Sequence, residues 1–137
     1  MEWTQDLAVG IEPIDEQHKE LISRINNLVA AIRNQVCKYT IGETISFLEE
    51  YVVTHFSEEE RLMTSHDYPD CRQHIAHHKT FMRNFEELKR ELALLEGGTK
   101  PGSYDLSVET NRVVVDWIRT HILHVDKKLG AYLKQKI

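Results

Sequence analysis

Apolar residues recur at steps of three and four along four long stretches, and this spacing constrains the fold more than any other feature. The first stripe is Leu21, Ile22, Ile25, Leu28, Val29, Ile32 and Val36. The second runs Ile45, Leu48, Val52, Phe56, Leu62 and Met63, and the third Phe81, Phe85, Leu88, Leu92 and Leu95. The fourth holds Val114, Val115, Ile118, Ile122, Val125, Leu129 and Leu133. A period near 3.6 puts such residues on one helix face, which must then be buried against other helices.

Breakers fall between the stripes. Residues 1–15 hold Trp3, Gly10 and Pro13 without a helical period and read as an extended arm, so the first helix is expected from Glu16. Thr40 and Glu43 match a capping box and predict the start of the second helix. Tyr68-Pro69-Asp70 ends it, and Asp70, with Gln73 three residues on, predicts the N-terminus of the third. Gly97-Gly98 stops the third helix, Lys100 to Ser103 reads as a loop, and the fourth helix is expected from about Ser107. Helices of this length span roughly 30–40 Å, and short connections favour antiparallel neighbours. The expected fold is all-α: one domain over 1–137, with an extended N-terminal arm at 1–15 and an antiparallel up-down-up-down four-helix bundle over 16–137.

Composition removes several functions. The formal charge of −5 disfavours nucleic acid, which calls for a basic face. No apolar run is long enough to span a bilayer, and the N-terminus has no leader pattern. Cys37 and Cys71 fall at opposite ends of the expected bundle, too far apart for a disulfide, so free thiols and a cytoplasmic location are expected.

The chain has eight histidines, and five of them lie on the stripes. His18 precedes Leu21 and Ile22; His55 and Glu59 continue the second stripe; His74 and His78 extend the third backwards from Phe81; His121 follows Ile118, and Asp126 follows Ile122. In an antiparallel bundle all seven also fall within roughly two to three turns of one end. Each unpaired polar group buried there costs several kcal/mol, so the cluster makes sense around bound metal. His66, His77 and His124 fall off this pattern and read as loop or rim residues.

The donors suggest which metal. Five imidazoles and two carboxylates are too many for one tetrahedral zinc, and calcium and magnesium prefer oxygen. Two metals bridged by Glu59, Asp126 and an oxygen would divide the histidines unequally. His74, His78 and His121 would complete six donors on one metal. His18 and His55 would give five on the other, leaving a position for a small diatomic ligand. Nitrogen and oxygen donors at six-coordinate geometry suit iron.

These residues resemble the hemerythrin family, and specifically its short bacterial members. The likeness runs through Trp3, Val9-Gly10-Ile11-Glu12-Pro13-Ile14-Asp15-Glu16-Gln17-His18, His55-Phe56-Ser57-Glu58-Glu59, Tyr68-Pro69, His74-x-x-x-His78-x-x-Phe81 and Trp117-Ile118-x-x-His121-x-x-x-x-Asp126. The resemblance implies a non-heme centre of two iron ions with an oxo or hydroxo bridge, binding dioxygen reversibly for storage, delivery or sensing. It makes Glu59 and Asp126 the bridging carboxylates, and it lines the dioxygen pocket with Leu21, Phe56, Trp117 and Ile118. Leu129 departs from the pattern, because many relatives carry an aromatic residue there. The competing class is a di-iron enzyme, ferroxidase-like, or a protein for iron storage, iron scavenging or nitric oxide binding. Carboxylate di-iron enzymes favour carboxylates over histidines, the reverse of this set, so binding without catalysis is expected. A monomer is expected, and a sensing role would need a separate protein partner.

Overall fold

A computed structural model describes residues 1–34, 38–93 and 109–136. Four helices build it: α1, Glu12–Arg33; α2, Lys38–Ser65; α3, Cys71–Ala93; and α4, spanning 109–136. No strand occurs among the described residues.

Side-chain pairs between helices give the directions. Gln17 meets His55 while Arg24 meets the backbone of Phe47, so α1 and α2 run oppositely. Glu60 meets His78 and Glu49 meets Lys89, which reverses α3 against α2. His74 faces Asp126 and Phe81 faces Trp117, which reverses α4 against α3. His18 against Asp126 closes the ring between α1 and α4. The result is the expected antiparallel four-helix bundle.

The stripes supply the core. Ile25, Leu28, Leu48, Met63, Phe81, Val114, Leu129 and Leu133 are wholly buried. Val29, Leu62, Val115 and Val125 lie only partly buried at its edge. No helix among the described residues is long and apolar enough to cross a membrane.

Two boundaries differ from the sequence reading. Helix α1 begins at Glu12, so residues 12–15 belong to the bundle and not to the arm. Pro13 sits in the first turn, where its fixed φ suits a helix and its missing N–H is not needed; it starts the helix and does not break it. Helix α2 already includes Thr40, which therefore does not occupy the non-helical cap position expected of it. Asp70 does precede α3: its carbonyl accepts the His74 N–H at 3.0 Å, and its carboxylate reaches Lys128 of α4 at 2.7 Å. The expectations for Val36, Cys37, Leu95, Gly97-Gly98, Lys100 to Ser103 and Ser107 lie outside the described residues.

The arm is short and pinned. A single 3-10 turn, Gln5–Leu7, leads to Val9, and both Leu7 and Val9 are buried. The Asp15 carboxylate accepts the N–H groups of Val9 and Gly10 at 2.8 and 3.3 Å. Gly10 turns the chain at φ 89°, in the left-handed region that favours glycine. Val9 then crosses α4 at Gly130 so closely that a Cβ there would lie 2.3 Å from the Val9 carbonyl oxygen. At the same end, Tyr132 of α4 donates its hydroxyl to the carbonyl of His66 at 2.6 Å, tying down the turn between α2 and α3.

Candidate metal centre

Seven ionisable side chains meet at this end of the core. His18 comes from α1, His55 and Glu59 from α2, His74 and His78 from α3, and His121 and Asp126 from α4, and none is more than 3% exposed. The neighbour-by-four spacings His55–Glu59 and His74–His78 put each pair on one helix face, as an α-helix must.

The last pair needs a different backbone. Residues five apart on an α-helix lie ~140° apart, so His121 and Asp126 could not share a face. Over Ile122–Asp126 the helix widens into a π-helical stretch, and the Lys127 N–H donates to the Ile122 carbonyl five residues back. That extra residue in the turn brings Asp126 Oδ1 to 3.1 Å from His121 Nε2. A second π-helical stretch, Asn111–Asp116, lies just before Trp117.

The donors fall into two overlapping sets. Ligand atoms of Glu59, His74, His78, His121 and Asp126 all lie within 4.8 Å of one another, and so do those of His18, His55, Glu59 and Asp126. Each carboxylate divides its oxygens between the sets. Glu59 Oε1 faces His78 and His74 at 3.1 and 3.4 Å, while Oε2 faces His55 and His18 at 3.2 and 3.6 Å. Asp126 Oδ1 faces His74 and His121, both at 3.1 Å, while Oδ2 faces His18 at 2.9 Å.

These short contacts are mostly not hydrogen bonds. Both oxygens of Asp126, Glu59 Oε2 and the Nε2 atoms of His18, His74 and His121 are buried without a hydrogen-bond partner among the described residues. Their spacing fits a cation between them, since two donors at ~2.1 Å from one metal and at right angles stand ~3.0 Å apart. His78 makes the same point. Its two ring nitrogens both face carboxylates, Glu60 and Glu59, and a neutral imidazole has only one proton to give. Nitrogen and oxygen donors in this number fit two cations that share both carboxylates.

The electrostatics of the side chains show what the site favours. Burial pulls the His18 and His74 imidazoles down, but the carboxylates of Asp126 and Glu59 outweigh it and raise both to about 9. Burial also holds His121 below its ordinary value despite Asp126 beside it. Burial pushes both carboxyls up, and the charge of Glu59 pushes Asp126 up further, yet the surrounding imidazoles hold Glu59 and Asp126 well below the carboxylate range. Two negative charges deep in the core thus draw positive charge into it, as protons or as metal.

The aromatic surroundings are uneven. Phe56 stacks on His78 with centroids 3.8 Å apart and planes 4° from parallel, and Trp117 stacks on His121 at 4.5 Å and 13°. Both therefore pack on histidines of the larger set. Leu21 and Ile118 are buried, and Trp117 is half-buried.

The remaining histidines stand apart. His66 donates its Nδ1–H to the Leu62 carbonyl at 3.0 Å. His77 and His124 are exposed and line a surface cleft of about 180 Å³ that also touches Tyr68 and His74. Two residues were missed in the sequence. Gln17 Oε1 accepts from His55 Nδ1 at 2.7 Å, and Glu60 Oε2 from His78 Nδ1 at 2.9 Å. Each directly adjoins a core carboxylate or histidine, Glu59 or His18, but lies off the apolar stripe and reads as surface.

Comparison with known proteins agrees with this centre. Residues 9–133 match the family model described as the hemerythrin HHE cation binding domain. The chain is 30% identical to a bacteriohemerythrin of Stenotrophomonas maltophilia over 132 residues, covering 96% of this chain and 80% of that one. It is 31% identical to a bacteriohemerythrin of Methylococcus capsulatus, covering 97% and 96%. A myohemerythrin of Theromyzon tessulatum is 25% identical over 96% of this chain and 92% of its own. A bundle with paired His and carboxylate donors at one end, matched over nearly its whole length, places this chain in the hemerythrin family.

Proposed function

We propose that the chain, acting as one domain over 1–137, holds two iron ions and binds dioxygen reversibly without catalysing its further reaction. The observation that carries this reading is the pair of overlapping donor sets, which share two carboxylates but differ in their histidines by three to two. His74, His78 and His121 would hold one iron, His18 and His55 the other, with Glu59 and Asp126 spanning both. The smaller set leaves room for an exogenous ligand.

When bound, a pair of iron ions supplies the one-electron chemistry at each metal that reversible dioxygen binding requires. The chain's own residues do the rest. The acceptors Gln17 and Glu60 keep the proton of His55 and His78 on Nδ1, so each Nε2 lone pair faces the centre. Leu21, Phe56, Trp117 and Ile118 would supply the apolar wall that keeps water from the bound ligand. Five neutral imidazoles against two carboxylates give little negative charge to stabilise highly oxidised iron, which supports binding over catalysis. Cys71 is a free thiol, in keeping with a reducing cytoplasm.

The test is the optical spectrum of the iron-loaded protein, cycled between dioxygen and inert gas. The expected result is charge-transfer bands that appear with dioxygen, vanish on degassing and return over several cycles. One-way conversion to ferric protein at first exposure would reject the reading.

A further inference from the structure

Each donor set contains one histidine whose outer ring nitrogen is held by a residue belonging to neither set, and the two holders differ in charge. Behind His78 stands the carboxylate of Glu60, at 2.9 Å; behind His55 stands the neutral amide of Gln17, at 2.7 Å. The Nδ1 atoms of His18, His74 and His121 are buried without a hydrogen-bond partner among the described residues. Among the described residues, one of these five imidazoles therefore has a carboxylate behind it. A carboxylate accepting the Nδ1 proton makes the imidazole more basic and its Nε2 a stronger donor; an amide does so less. Orientation alone does not call for a charge at that point. The stacked ring of Phe56, 3.8 Å from His78 by centroids, already fixes the plane of the imidazole.

Resting on the two-iron reading above, we propose that Glu60 is a positioning residue that makes the two metal positions unequal. Its charge, passed through His78, makes the position of His74, His78 and His121 the tighter cation site and the one more easily oxidised. Gln17 keeps the dioxygen-facing position weaker. The centre would fill in order, and the position without an exogenous ligand would have the lower potential of the two.

The test compares wild type with Glu60→Gln, Glu60→Asp, Gln17→Glu and Glu58→Gln. Glu58 is the charge control, since it lies next to the site in sequence but pairs with Arg61 on the surface. Metal-free protein is titrated with Co(II), and the midpoint potentials of the iron-loaded proteins are measured. Wild type is expected to bind two Co(II) in two resolved steps. Glu60→Gln keeps the hydrogen bond but loses the charge. It should weaken the first step about tenfold and leave the second within about twofold. The lower iron potential should rise by about 59 mV, the one-electron equivalent of tenfold. Glu60→Asp should restore part of both, Gln17→Glu should tighten the second step, and Glu58→Gln should move neither.

A Glu60→Gln protein that binds two Co(II) with unchanged steps and potentials overturns the proposal and leaves the two-metal reading standing. Equal weakening of both steps, with a lower melting temperature of the metal-free protein, also overturns it, because that is loss of packing. Wild-type protein that binds fewer than two cations overturns the two-metal reading and the proposal together.

Discussion

At Asp126 opposing forces act on a single carboxylate. Burial and the nearby charge of Glu59 favour the neutral acid, and the imidazoles of His121 and His18 favour the ion and prevail. The same balance, with signs reversed, raises His18 and His74 to about 9. Without metal these shifts make stability depend on pH. A histidine whose folded pKa exceeds its unfolded value of about 6.5 stabilises fully below that value, and loses the contribution as pH rises through about 9. His121 is shifted the other way, so its contribution is lost as pH falls below about 6.5. Metal-free protein should therefore be most stable near neutrality and weaken toward pH 9. Urea midpoints that stay level between pH 6.5 and 9 would show that His18 and His74 are not paired as described. Substitution separates the residues of the centre from their neighbours. Asp126→Ala and Glu59→Ala each remove a group facing both donor sets, and should lower iron content at least tenfold more than His77→Ala or His124→Ala, by analysis of the purified proteins. Equal loss from His77→Ala and His78→Ala would mean the face of α3 is misassigned.

The helices show which parts of this arrangement were legible in sequence. The stripes were enough to put His18, His55, Glu59, His74 and His78 on inward faces at one level, because burial and helical period are both written in residue type. His121 and Asp126 were each placed by a neighbouring isoleucine, but how they could share a face was not legible. That depends on the π-helical stretch Ile122–Asp126, and a backbone that departs from the α period leaves no mark in hydrophobic spacing. Pro13 misled because a proline that ends helices in one place starts them in another. Gln17 and Glu60 were invisible because a side chain bonding the outer edge of a histidine is polar, half-exposed and like any other surface residue. Gly130 was equally silent, although the arm depends on it. A methyl group there would meet the Val9 backbone at 2.3 Å, and backbone cannot rotate aside. Gly130→Ala should thus cost about 1–3 kcal/mol by overpacking, despite alanine's better helix propensity. The check is chemical denaturation of both proteins; an unchanged or higher stability would mean the arm does not lie against α4.

Across the whole molecule, one end of the bundle is an ordinary apolar core and the other an ionic cluster that packing alone does not satisfy. Leu28, Leu48, Phe85 and Leu88 gain by leaving water, and their burial stabilises the fold with or without metal. The seven groups at the other end lose hydration, and His18, His74, His121, Asp126 and one oxygen of Glu59 recover none of it in hydrogen bonds among the described residues. Metal binding and folding are therefore coupled, since ions that bind only the folded chain stabilise it by mass action. The melting temperature should rise on iron loading and fall back on chelation; scanning calorimetry of the two forms gives the comparison. An unchanged melting temperature would mean that protons satisfy the cluster as well as metal does. The central claim is that four helices converge on a site for two cations sharing Glu59 and Asp126. Native mass spectrometry of the chain loaded anaerobically with ferrous iron tests it most directly. The expected spectrum is dominated by the mass of one chain plus two irons, and both irons should be lost together in Asp126→Ala. A wild-type chain carrying one iron, or none, would contradict the account.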